Sequence, residues 1–401
     1  MDPATPLASA RADSAATNRP APLMGVRVLD LTQVVSGPIC GRALADLGAE
    51  VIKIEAPGGD VSRTVAPHVA GNGLYFTHLN AGKRGACIDL RTEAGADLVA
   101  RMAERCDVLL ENFRPGVLAK RGLGADQLLE RNPRLVYCSI SGWGQRGPWA
   151  QRRAYAPLVH AEAGRIELAA RLRNARPQQE VHVHGDVYPG LVAVSAVLAA
   201  LYQREHTGRG QHLDVAMAEV LVYADEWSST DLTGYPPERS FDIWTHPTAT
   251  VADGTGVVLV GNPVRSFGQW VEALGAAGTP QPERDEDALA AVLALVAAVA
   301  DFTTLERLLD PYPMLVAEIR SVAELAATPW AAAREVFVEV EPGARVVAAP
   351  FRSQHATIRV AGPAPRQGEH SREILRDVLG LGEAELDDLE ATGVVGYGAP
   401  R

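Results

Sequence analysis

Over residues 26–216, short apolar runs rich in β-branched residues alternate with stretches of helical period, and this alternation constrains the fold more than any other feature. Residues 26–31 read as a strand and 32–38 as a loop. Residues 39–47 carry helical spacing, Gly48 supplies a stop, and 50–55 read as a second strand. That is one strand–helix–strand unit. The pattern recurs with strands at 86–90, 107–111, 134–140 and 211–216, a helix at 92–105, and a further helical segment ending near residue 131. Residues 189–205 are apolar nearly all round and are expected to form a buried helix. Such alternation predicts an α/β fold with a mostly parallel sheet covered on both faces. After about residue 235 the texture changes. A hairpin is expected over 248–260 around Asp253-Gly254, with helices at 288–309 and 323–336 and strand character at 337–350. Helices at 371–379 and 383–392 follow. The expected organisation is a disordered tail (1–22), a large domain (23–225), a linker (226–245), a smaller α+β domain (246–335), and a return segment whose C-terminal helices complete the large domain (336–401).

Composition narrows the function. The 401 residues carry a net charge of −11, which argues against a nucleic-acid partner. No run of eighteen uncharged apolar residues occurs, so no membrane span is expected. Cys40, Cys87, Cys106 and Cys138 lack zinc or redox spacing and read as buried free thiols of a reducing, cytoplasmic compartment. The first 22 residues lack the apolar segment of a secretory signal.

In an open parallel sheet, ligands bind beyond the carboxyl ends of the strands. Val35-Ser36-Gly37-Pro38 follows the first strand and opens a helix, whose amides suit a phosphate. Arg91 follows the strand at 86–90. Asn112-Phe113-Arg114-Pro115-Gly116 follows the strand at 107–111, with Lys120 and Arg121 a turn later. Ser141-Gly142-Trp143-Gly144 follows the strand at 134–140. Cations, an amide and aromatic rings on one sheet edge suit a phosphate-bearing nucleotide. Neither a dinucleotide-binding fingerprint nor a P-loop is present. Asn80-Ala81-Gly82-Lys83-Arg84 lies at the opposite end of its strand and reads as a solvated basic turn.

The ordered motifs resemble the family III CoA-transferases (the CaiB/BaiF group). They comprise Gly37-Pro38, residues 44–55, Gly59-Asp60, residues 80–84, Asp89-Leu90, residues 107–115, 139–145, Gly185-Asp186, 201–211 and 368–375. The resemblance is dense over 25–220 and thin over 230–360. It implies a ring-shaped subunit with a Rossmann-like large domain, interlocked with a second copy as a homodimer. It implies coenzyme A, carried as acyl-CoA, as substrate, a carboxylic acid as acceptor, and no permanently bound cofactor or metal. It assigns the nucleophile to Asp186. It assigns the CoA site to Val35, Ser36, Ile88, Asp89, Leu90, Arg91, Asn112, Phe113, Arg114, Lys120, Ser141, Gly142 and Trp143. Ala56 stands where many members carry an arginine. Ser141, in place of a lysine, and the lack of a glycine-rich loop between Ser228 and Asn262 depart from the formyl-CoA-dependent members.

A carboxylate can attack an acyl-CoA carbonyl and carry the group as a covalent intermediate. Asp186 precedes the apolar run at 189–205, so by position alone it also suits a helix cap. Two other readings exist. A 2-methylacyl-CoA racemase of the same family uses a histidine in a Gly-His-Asp run, where this chain has Ala154-Tyr155-Ala156; His160 is nearby but out of register. A catalytically silent CoA-binding scaffold would use the basic stretch 165–179 as a surface.

Overall fold

The computed structural model describes residues 19–234 and 246–396. The strands are β1 (Arg27–Asp30), β2 (Glu50–Glu55), a short ribbon of β3 (His68–Val69) and β4 (Asn72–Gly73), β5 (Arg84–Ile88), β6 (Val108–Glu111), β7 (Val136–Ser141) and β8 (Gln211–Ala216). They continue with β9 (Thr248–Thr250), β10 (Gly256–Val260), β11 (Leu315–Glu318), β12 (Phe337–Glu341), β13 (Ala344–Val347) and β14 (Val395–Gly396). Seven of these form one sheet in the order β14-β5-β2-β1-β6-β7-β8, parallel throughout except for β14, which pairs antiparallel with β5.

Helices α1 (Ser36–Asp46), α2 (Leu74–Asn80), α3 (Glu93–Ala103), α4 (Ala125–Arg131), α5 (Ala156–Glu162), α6 (Arg165–Leu172) and α7 (His184–Thr207) precede β8 in the chain, and alternation along the strands decides which residues meet which helices. In β1, Val28 joins one core and Leu29 the other. The Val28 core contains Cys40 and Leu44 of α1 (Ser36–Asp46) and Val197 and Leu201 of α7 (His184–Thr207). The Leu29 core contains Leu98, Val99 and Met102 of α3 (Glu93–Ala103) and Ile374, Leu375 and Val378 of the helix Ser371–Leu379. All four cysteines are free and buried. By length and composition α7 would suit a membrane span, but here it packs along α1 and the sheet.

The described residues divide into two compact units, residues 19–166 with 178–225 and 335–396, and residues 167–177 with 226–234 and 246–334. The second has its own core, with Val257, Leu259, Phe267, Trp270 and Val292 between the β9–β10–β11 sheet and the helices Phe267–Ala273 and Asp285–Ala297.

Three expectations are corrected. The tail expected at 1–22 is fastened at its described end, where Thr357 donates its hydroxyl to the Arg19 carbonyl and its N–H to that of Pro20. Helix α7 starts five residues before Pro189 and is not buried all round, because Leu191, Val192 and Tyr202 remain exposed. The basic turn at 80–84 is not solvated. Lys83 and Asn80 are fully buried, and the Lys83 ammonium bonds Asp30 Oδ2 (2.8 Å), Asn80 Oδ1 (2.9 Å) and the Pro38 carbonyl (2.9 Å).

Candidate active site

The strand order reverses between β1 and β6, so the loops leaving these two strands run apart and open a crevice at their carboxyl ends. Asn112 bridges its floor. Its side-chain oxygen accepts the Gln33 N–H (2.9 Å) and its amide donates to the Gln33 carbonyl (2.8 Å). The loop between β1 and α1 is strained, since Val34, a β-branched residue, has φ +66°. Two buried ion pairs hold it. Asp60 accepts from the Val34 N–H and from Lys53 Nζ, which also reaches the Thr32 carbonyl. Asp30, paired with Lys83, accepts from the Thr32 N–H. Burial pushes the Asp30 carboxyl up, but Lys83 and Lys53 together hold it below its ordinary value.

Above Asn112 lies a cavity of about 230 Å³ lined by Ser36, Phe113, Arg114, Ser141, Arg153 and Asp186, among others. Asp186 rides in the first turn of α7, where the N-cap is Val183. It therefore does not cap its helix. Gly190 brings that turn to the wall. A Cβ there would lie 2.2 Å from Ile39 Cγ2 and 2.4 Å from the Ser36 carbonyl, so only glycine lets α7 abut the start of α1 at this point. Burial alone pushes the Asp186 carboxyl up to about 6. Among the described residues no group donates a hydrogen bond to it. A desolvated, unpaired carboxylate facing a cavity is chemically available as a nucleophile.

The other cavity residues complement an anionic ligand. Arg114 and Arg153 have no ion-pair partner among the described residues. Arg152 is paired with Glu162 and stacks over Trp143 and Trp149. The buried Ser141 hydroxyl has no hydrogen-bond partner among the described residues. It is the kind of orphaned polar atom that a ligand satisfies.

Of the expected CoA residues, the structure gathers Ser36, Asn112, Phe113, Arg114, Ser141 and Gly142 around this cavity with Asp186. Asp89, Leu90 and Arg91 line an adjoining cavity that shares Gln33 and Phe113 with the first. Lys120 lines a third with Leu90 and Arg91. Asp89 grips Arg91 through two guanidinium nitrogens, and Arg91 in turn holds the Asp89 carboxyl down at about 2. Val35, Ile88 and Trp143 line none of these cavities. Ile88 is a fully buried core residue, Val35 is the buried N-cap of α1, and Trp143 packs edge-on against Trp149. Sequence reading missed Gln33, Val34, Arg153, Tyr155 and Met217 as lining residues. Gln33 and Val34 lay within the loop already singled out after β1, whereas Met217 had no local signal.

Comparison with known proteins identifies the family. The model of CoA-transferase family III matches residues 23–371. A succinate–glutarate CoA-transferase of Agrobacterium fabrum is 33% identical over 405 residues, covering 94% of this chain and 98% of that protein. A formyl-CoA:oxalate CoA-transferase of Streptomyces coelicolor is 31% identical, covering 93% and 99%. The crystal structure of a CaiB/BaiF family protein from Brucella suis superimposes with a TM-score of 0.80 at 32% identity, covering 90% of this chain and all of that one. The crevice at the reversal of the sheet and the carboxylate of Asp186 thus belong to a member of the CoA-transferase family III.

Proposed function

We propose that the enzyme moves CoA from an acyl-CoA to a free carboxylic acid through covalent intermediates on Asp186. The observation that carries this reading is the unpaired Asp186 carboxylate, desolvated at the head of α7 and open to the cavity. A carboxylate oxygen attacks the thioester carbonyl and expels CoA thiolate, leaving a mixed anhydride. The thiolate attacks the aspartyl carbonyl, releasing the donor acid and forming an aspartyl-CoA thioester. The acceptor carboxylate displaces CoA thiolate from that thioester. The thiolate then attacks the acceptor's carbonyl, giving the new acyl-CoA and restoring Asp186. CoA itself is the substrate, and the chemistry requires no metal or redox cofactor. Arg114 and Arg153 favour an acceptor bearing more than one carboxylate, consistent with the succinate and glutarate in the name of the Agrobacterium relative.

Ala154-Tyr155-Ala156 supplies no histidine base, and His160 does not line the cavity, so the geometry favours transfer over racemisation. The aspartate's exposure to the cavity weighs against a silent scaffold. Incubation with acyl-CoA is expected to give a covalent CoA adduct, located on Asp186 by mass spectrometry and cleaved by hydroxylamine. An enzyme that turns over with no such adduct overturns the mechanism.

Arg91 and Lys120 are proposed to bind the CoA phosphates. Each alanine variant is expected to weaken acyl-CoA binding on the order of tenfold, measured by calorimetry. We further propose a cytoplasmic homodimer, supported by the four reduced, buried thiols and by the exposed Leu191, Val192 and Tyr202 of α7.

A further inference from the structure

A helix start leaves its first N–H groups without partners, and α7 has no side-chain cap at Val183. The Asp186 and Val187 N–H groups turn back to the Val183 carbonyl (2.9 and 3.0 Å). Gly185 has a different partner. Its N–H donates to Nε2 of His160 at 2.8 Å, a buried bond spanning 25 residues. His160 lies on α5 (Ala156–Glu162), and the segment leading into that helix, Ala154 and Tyr155, lines the cavity. The fit is close. A Cβ on residue 185 would sit 3.1 Å from two atoms of the His160 ring and 3.1 Å from the Ala156 Cα. An Nε2 that accepts carries no hydrogen, so the neutral ring holds its proton on Nδ1, which lies 3.3 Å from the Gln179 amide nitrogen and donates to that side chain once the amide turns its oxygen to the ring. Burial, with His184 and Arg165, favours that neutral form, and only Glu180 opposes it. The ring does not line the cavity and touches no reacting atom.

We propose that His160 is the positioning residue of the nucleophile: by accepting the Gly185 N–H it fixes the turn of α7 that carries Asp186 against the cavity wall. The role rests on Asp186 being the nucleophile. It differs from general scaffolding because it concerns one acceptor atom at one place. Glutamine presents an oxygen at the reach of Nε2, whereas asparagine is polar but too short.

The test compares His160→Gln with His160→Asn in single-turnover formation of the Asp186 adduct, alongside acyl-CoA affinity and thermal unfolding. His160→Asn is expected to form the adduct roughly 10- to 100-fold more slowly, as a displacement of about 1 Å costs in positioned reactions, with acyl-CoA affinity unchanged. His160→Gln is expected to restore most of the rate. Equal rates in the two variants, or a loss of acyl-CoA affinity that tracks the loss of rate, would overturn the proposal. The wild-type control separates the two readings. If no adduct forms on Asp186, the nucleophile assignment falls and the positioning role falls with it. If the adduct forms while Gln and Asn behave alike, only the positioning role falls.

Discussion

Replacing Asp186 by Asn is expected to abolish CoA transfer, by at least about a thousandfold, while leaving acyl-CoA binding intact. The same change is expected to stabilise the fold at neutral pH. The reason is the direction of the pKa shift. In the unfolded chain the carboxyl ionises near its ordinary value of 3.8, whereas burial delays ionisation in the folded protein to about 6. Between these values the folded state holds the extra proton, so stability falls as pH rises through that window and stays lower above it. Asn removes the charge that burial penalises. Thermal unfolding at pH 7.5 is therefore expected to favour Asp186→Asn by roughly 1–3 kcal/mol, with the advantage vanishing near pH 4. Activity of the unmodified enzyme is expected to rise with pH through about 6, as the proposed nucleophile ionises. A helix-capping aspartate behaves differently on both counts, since Asn caps as well as Asp and leaves turnover in place. A folded Asn variant with near-normal transfer would refute the mechanism.

Lys83→Ala is expected to destabilise the protein by about 3–5 kcal/mol, since it strands the Asp30 carboxylate in the interior without its cation. Both side chains of that pair have zero exposure. The damage is expected to reach the site, because Lys83 also holds the Pro38 carbonyl at the start of α1, and Asp30 holds the Thr32 N–H. Urea denaturation and acyl-CoA affinity, measured together, check both parts. Asp30→Leu combined with Lys83→Met leaves neither partner of this pair stranded and is expected to recover most of the stability while acyl-CoA binding stays weak. A single variant as stable as the parent would show that the pair contributes little.

The two halves of this site differed in how openly the sequence displayed them. Strands β1, β2 and β6 announce themselves by their apolar runs, and the loops that follow inherit their place from the sheet; Ser36, Asn112 and Arg114 were legible for that reason. Lys83 was not. In the chain it stands beside Arg84 in a glycine turn, the pattern of a solvated loop, and its partner Asp30 is 53 residues away. Only tertiary packing makes that lysine a buried strut. The start of α7 was misjudged because Pro189 reads as a first-turn residue, yet it lies inside the helix, where its missing N–H removes only the bond to the Gly185 carbonyl. His160 sat in view as a lone histidine, and nothing local to it pointed to Gly185.

The charges that shape the crevice and the charges proposed to greet CoA live in different media. The Lys53–Asp60 and Lys83–Asp30 pairs are sealed from solvent, whereas Arg91 extends into it. Mobile ions therefore reach one set and not the other. Ionic strength becomes a dial on capture alone: brine thins the attraction for the nucleotide while the loop around Val34 keeps its shape, so a salt-starved and a salt-loaded enzyme differ in how readily they fill and not in how they react once full.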